Sequence, residues 1–245
     1  TFSMDGSGAV SIGYIQMSSG TLTNTDDAGG LVLTSNDDED YVMEIEGGTF
    51  NNNSGLVKVT GNIASRFLKA TGVEFADLTI DLTASSDEVN FTTNLDVVGD
   101  LRVDTGHLRP NVSQNITVTG ATIIENAGTL GTYPNTGYTN YTFGSLVVKN
   151  TGQNYYYSPN MTTITSENDN VAINIDGNII GNNGLLKIIT PADTFIDING
   201  TSGRFYDITI DLGGFYNISW DETFNASGTV LLTTGRLKPD SATDP

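Results

Sequence analysis

Two acids recur as a pair in this chain. Asp77 and Asp81 lie in Phe75-Ala-Asp-Leu-Thr-Ile-Asp-Leu, and Asp207 and Asp211 in Phe205-Tyr-Asp-Ile-Thr-Ile-Asp-Leu. Glycosidic cleavage needs two or three carboxylates, or an Arg/Lys base, converging on one groove. A reaction centre is normally unique, whereas these acids occur twice at equivalent positions, which points to a repeated turn or an outward strand face. His107 is the one imidazole, and its counterpart is Arg236; Arg109 aligns on Lys238. A lone His without partner ligands builds neither a zinc centre nor a hydrolytic triad. The chain reads as a non-enzyme.

Three further groups could bind something. The run Asn36-Asp-Asp-Glu-Asp40, with Asp26-Asp27 nearby and Glu167-Asn-Asp-Asn170 in the later half, offers oxygens for Ca²⁺, with Asp37, Asp38 and Asp40 as its ligands. Neither the EF-hand spacing nor the Gly-Gly-x-Gly-x-Asp nonapeptide is present, so a solvated turn is the default and no cofactor is required. Tyrosines gather mid-chain at Tyr133, Tyr138, Tyr141, Tyr155, Tyr156 and Tyr157, as a surface for sugar stacking or protein contact would need. Asn-x-Ser/Thr sequons stand at Asn52, Asn90, Asn111, Asn115, Asn140, Asn160, Asn199, Asn217 and Asn225, against about five expected by chance. A glycan belongs on a solvent face of an exported protein, although Asn and Thr also make ladders and turns.

Composition narrows the class. Among 245 residues, Lys+Arg number 10 and Asp+Glu 29, a formal charge of -19 that repels phosphate backbones and argues against nucleic-acid partners. Charged residues are only 16%, too few for an acidic disordered tail. The absence of Cys removes disulfide frameworks, thiolate metal sites and cysteine nucleophiles. No stretch approaches the roughly 20 apolar residues of a membrane span, and no charged-then-apolar leader opens the chain. The chain reads as a processed or excised portion of a longer protein.

The elements that must carry these residues are strands. Apolar and polar residues alternate in Leu56-Val-Lys-Val-Thr, Leu78-Thr-Ile-Asp-Leu, Ile116-Thr-Val-Thr, Ile173-Asn-Ile-Asp and Ile208-Thr-Ile-Asp-Leu, the period of a half-buried strand. Gly, Asn, Asp and Ser clusters separate them at roughly 8 to 15 residues. Blocks around Gly48, Phe75 and Gly106-His-Leu-Arg-Pro reappear in order at Gly177, Phe205 and Gly235-Arg-Leu-Lys-Pro. The domain reading is two halves, 1–130 and 131–245, each of two units (about 1–65 and 66–130, then 131–195 and 196–245). The units are anchored at Ile12-Gly-Tyr-Ile, Phe75-Ala-Asp-Leu, Phe143-Gly-Ser-Leu and Phe205-Tyr-Asp-Ile. Each anchor is followed by an apolar-Gly-apolar step, as in Val103-Asp-Thr-Gly-His-Leu. Glycine there allows a tight bend between strands, so strand, corner and strand wind into stacked coils.

The pattern Phe-x-x-Leu-x-Val/Ile, then a Gly-x-Leu step, then an apolar strand ending in Thr-Gly, resembles the β-strand-repeat, parallel β-helix proteins of cell surfaces. These are adhesin-like chains, autotransporter-type passengers and surface-layer or filament components. The expected fold is all-β, a right-handed parallel β-helix (β-solenoid) of degenerate repeats; tandem small β-sandwich modules are the alternative. Its interior should hold Leu31, Leu33, Ile45, Leu56, Val57, Phe67, Phe75, Leu78, Ile80, Leu101, Val103 and Leu108. The resemblance implies an extracellular structural protein whose partners are copies of itself, or surface glycans in the alternative of a carbohydrate-binding adhesin module. A polysaccharide-degrading enzyme is the third reading, and membrane insertion of this segment is not expected.

Overall fold

The computed structural model describes residues 1–4, 8–26, 29–34, 40–111, 113–131, 139–149, 154–156, 158, 160–165, 171–180, 183–198, 205–220 and 226–239. Among them there is no helix, and every strand pairing is parallel. The chain is a parallel β-solenoid. Sandwich modules, whose sheets are antiparallel, are excluded by that polarity.

Three ladders wrap one interior. Face one takes Phe2–Ser3, Thr21–Thr23, Thr49–Asn51, Glu74–Phe75 and Leu95–Val97, then the start of Ile116–Leu130 and of Asn140–Val148, then Met161–Ile164, Leu185–Ile189, Asp207–Asp211 and Val230–Thr234. Face two takes Val10–Ile12, Leu31–Leu33, Leu56–Gly61, Asp77–Leu82 and the start of Leu101–Pro110. It continues through the middle of Ile116–Leu130 and the end of Asn140–Val148 to Val171–Ile175, Thr194–Ile198, Asn217–Trp220 and Arg236–Pro239. Face three takes Ile15–Met17, Tyr41–Ile45, Arg66–Ala70, Glu88–Phe91, the ends of Leu101–Pro110 and Ile116–Leu130, Asn154–Tyr156 and Asn178–Ile180. Face one is interrupted between Thr49–Asn51 and Glu74–Phe75, where the Asn52 amide donates to the Glu74 carbonyl (3.2 Å) and the Phe50 and Phe75 rings meet at 6.0 Å.

The face-two partners Val10, Leu31, Val57, Leu78, Leu101, Thr122, Leu146 and Ile173 mark successive coils. Coil length is not constant: the step from Val57 to Leu78 is among the shortest and that from Leu146 to Ile173 the longest of these. Alternation puts every second side chain inside: in Asp77–Leu82, Leu78, Ile80 and Leu82 are buried while Asp77, Thr79 and Asp81 face out. Stacking in register then makes continuous columns. On face one, Phe75, Val97, Val118, Phe143, Ile164, Ile188 and Ile210 lie one above another, all buried. Each such side chain contributes about 1.5–3 kcal/mol on burial, so the columns stabilise a chain that has no disulfide.

Of the expected interior, Leu56 and Phe67 are corrected to outward, half-buried positions. Leu56 precedes Val57, and neighbours on a strand cannot share a face; Phe67 instead packs against the Tyr41 ring at 5.6 Å. The glycine steps are as expected at Gly106 and Gly235. Their φ angles are +87° and +97°, and a Cβ there would run into Leu82 or Leu212.

The long internal repeat is set against the coil. Asp77–Leu82 lies on face two, and five coils later Thr194–Ile198 occupies that face; Asp207–Asp211, the repeat of Asp77–Leu82, then falls on face one. Likewise Leu56–Gly61 is on face two and its repeat Leu185–Ile189 on face one. The second copy is therefore rotated back by one face.

Candidate functional site

The recurring acids join coils. Where face one bends into face two, the Asp77 carboxylate accepts the Asp100 N–H (2.7 Å), and the Asp100 carboxylate accepts the Ala121 N–H (2.8 Å). Gly99 N–H donates to the Ala76 carbonyl beside them (2.6 Å). A Cβ on residue 99 would overlap the Asp77 carboxylate oxygen, so the corner demands glycine. The second copy repeats the device: Asp207 accepts the Thr229 N–H (2.7 Å), beside Gly228. Asp81 pairs with Lys58 of the coil before (2.7 Å). Asp211 accepts the Thr234 hydroxyl (2.6 Å), which, with the Gly213 N–H and the nearby Lys187, holds its carboxyl below the usual range.

A polar cluster sits on face three, where three successive coils bring Ser65, Glu88 with Asn90, and His107 with Arg109 together. Glu88 accepts from the Ser65 hydroxyl (2.9 Å) and the Asn90 amide (3.1 Å), and pairs with Arg109 (2.7 Å). Burial would raise its pKa, but those two hydrogen bonds and the Arg109 charge prevail and lower it. His107 is pushed down by burial and by Arg109, whose guanidinium lies against its Nδ1 at 2.5 Å. Ser, Glu and His are thus neighbours without being a triad, because the hydroxyl proton is directed at Glu88 and the cation faces the ring nitrogen. Sequence reasoning missed Glu88 and Ser65; only the register of the coils joins them to His107.

Face two carries a charge ladder. Lys58–Asp81 is followed by Arg102–Asp104 (2.6 Å), and by Glu125 held between Arg102 and Lys149. A shallow groove of about 370 Å³ runs beside it, lined by Asp26, Asp77, Thr79, Asp100 and Arg102 among others. Asp77 and Asp100 already bind backbone N–H groups there. Among the described residues no three His, Asp or Glu are placed to hold a metal ion.

The expected binding residues fall in different places. Asp37 and Asp38 lie outside the described residues, and Asp40 is exposed, its carbonyl accepting the Phe67 N–H. Tyr133, Tyr138, Tyr157 and the Tyr156 side chain also lie outside them. Tyr141 and Tyr155 are corrected from a contact surface to the core: both are fully buried, packed with Phe143 at ring distances of 5.8–6.4 Å. The alternation Asn-Tyr-Thr-Phe at 140–143 carried that signal, since it turns Tyr141 inward together with Phe143. Burial pushes both phenols above the ordinary range, against the Thr162 hydroxyl that bonds Tyr155.

Several sequon asparagines are joined to the coils. Asn94 accepts the Asn115 N–H, Asn115 accepts the Asn140 N–H, and the Asn160 amide donates to the Asn140 side-chain oxygen at 2.7 Å. Asn90 belongs to the Glu88 cluster, Asn52 bridges the face-one gap, and Asn217 bonds Asp193. Asn111 is exposed and makes no side-chain hydrogen bond among the described residues, while Asn199 and Asn225 lie outside them. No helix in the described part is long and apolar enough to cross a membrane. Comparison with protein-family models, curated proteins and solved structures finds no match.

Proposed function

We propose that this chain is a non-catalytic structural segment of an extracellular assembly, a surface layer, filament, fibre or adhesin stalk, that acts through self-association. The supporting observation is a stack of parallel coils around one continuous apolar interior, in which the face-one column from Phe75 to Ile210 is buried throughout. Coils that each pack only on their neighbours make a body extended along one axis, which suits a scaffold.

The recurring acids and the Glu88 cluster fit the same reading, since their hydrogen bonds are spent on linking coils. The extracellular setting rests on the sequons, since a glycan belongs on a solvent face of an exported protein. Sedimentation velocity and electron microscopy of the purified chain, over a range of salt and Ca²⁺ concentrations, should reveal oligomers or fibres. A compact monomer under every condition overturns the proposal.

A further inference from the structure

We infer that the edge where face three turns into face one carries N-linked glycans, at Asn111 and on the stacked pair Asn115 and Asn140, while Asn90 is a structural asparagine despite its sequon. This rests on the extracellular part of the proposed function and adds to it an attachment site and a shielded flank.

What each side-chain amide does in the fold separates the sequons. Transfer joins Asn Nδ2 to the anomeric carbon of a sugar supplied as a lipid-linked glycosyl diphosphate. The bond from that carbon to the phosphate oxygen breaks, the diphosphate departs with the bonding electrons, and one Nδ2 hydrogen leaves as a proton. The product keeps one N–H and both lone pairs of Oδ1. An asparagine that serves the fold through its oxygen therefore loses nothing, whereas one that donates both hydrogens loses a bond.

Asn115 serves through its oxygen. It stands where the chain enters face one; its Oδ1 accepts the Asn140 N–H of the next coil at 3.0 Å, and its Nδ2 makes no hydrogen bond among the described residues. Because a backbone N–H only donates, that bond fixes which end of the amide is oxygen. Period two turns Ile116 inward and leaves Thr117, the sequon hydroxyl, exposed on the side of Asn115. Asn140 repeats the arrangement one coil on. Its Oδ1 accepts the Asn160 amide at 2.7 Å, its Nδ2 is uncommitted among the described residues, and Thr142 faces out beyond the buried Tyr141. Asn111 lies in the corner just before Asn115 and is exposed, as is Ser113 of its sequon.

Asn90 is the opposite case. Its Nδ2 donates to Ser65 Oγ and to Glu88, both at 3.1 Å, so a sugar there removes a bond from the Glu88 cluster, and Thr92 Oγ1 of its sequon is buried. Asn52, Asn160 and Asn217 donate to one partner each and stand between the two cases. The open sites share one edge, which in a stack wrapped by three faces lies across the interior from face two. Sugar there leaves face two, with its charge ladder, clear for contact between copies. Asn115 and Asn140 are one coil, about 4.8 Å, apart, so a branched glycan on either crowds the other and one of the pair is filled at a time.

Secretion of the intact chain from a glycosylating eukaryotic host tests the inference. Sites are read by mass spectrometry after peptide-N-glycosidase treatment in heavy-oxygen water, which marks each released site as aspartate. Sugar should be found at Asn111 and on the Asn115/Asn140 pair, and Asn90 in the folded fraction should be occupied at least about ten-fold less than the pair. In glycan-free chain, Asn115→Asp keeps the accepting oxygen and should unfold at the wild-type urea midpoint, whereas Asn115→Ala should unfold earlier. Occupancy of Asn90 equal to that of the pair, or an Asn115→Asp midpoint as low as that of Asn115→Ala, overturns the assignment. Absence of sugar from Asn111, or from both members of the pair, overturns it too; if the glycan-free chain still forms oligomers in sedimentation velocity, the scaffold reading stands without it. Sugar at these sites on a chain that stays monomeric under every condition supports the glycan edge and removes self-association.

Discussion

At the scale of the residue, the clearest dependence is on glycine. Gly106 combines a positive φ with a Cβ direction that runs into Leu82, whereas Gly72, at φ +68°, faces open space. Gly106→Ala should cost about 2–4 kcal/mol and Gly72→Ala about 1 kcal/mol, read from urea denaturation; equal losses would show that strain alone matters. The Glu88 cluster sets the acid response. His107 has its pKa lowered in the fold, so the unfolded chain takes up the proton first and stability falls as pH drops below about 6.5. Glu88, also lowered, adds a second loss below its ordinary value of about 4.5. Urea midpoints at pH 7.5 and pH 5 should therefore differ more for wild type than for His107→Gln. The step at Gly106 was legible because glycine marks its own position in a sequence. Glu88 beside His107 was not, since nothing along a chain shows which residues one coil apart become neighbours.

At the scale of the element, corners and flat faces differ in what holds them. Asp77 binds a backbone N–H at its corner, whereas Lys58–Asp81 is a partly exposed pair on a flat face. Asp77→Ala should lower stability by about 1–3 kcal/mol, with Asp77→Asn restoring most of it, while Lys58→Ala should cost about 1 kcal/mol or less. Equal losses in thermal or urea unfolding would contradict this division. The strands themselves were readable from alternation, and Leu78, Ile80, Leu101 and Val103 are inside as expected. The coil was harder to see, because corners of varying length stretch some windings beyond others and blur the period. The similarity between anchors survives at Phe75 and Phe143, which occupy one column three coils apart. Tyr141 and Tyr155 misled because a cluster of tyrosines reads as surface until each is assigned to an inward or outward position.

At the scale of the molecule, cooperativity runs along the stack, and the ends are its weak points. Every residue of Val230–Thr234 is exposed, while Leu101–Pro110 has coils on both sides. Hydrogen exchange should be at least about ten-fold faster in Val230–Thr234 than in Leu101–Pro110, and uniform protection would indicate that the last coil is covered in solution. The rotated duplication has a consequence for anything that approaches from the flank. The Lys58–Asp81 motif and its twin around Lys187 and Asp211 look out in directions a third of a revolution apart. An antibody raised to one should bind the molecule at two azimuths. A third tandem copy displaced by the same step would complete the circle, giving a rod with no preferred side.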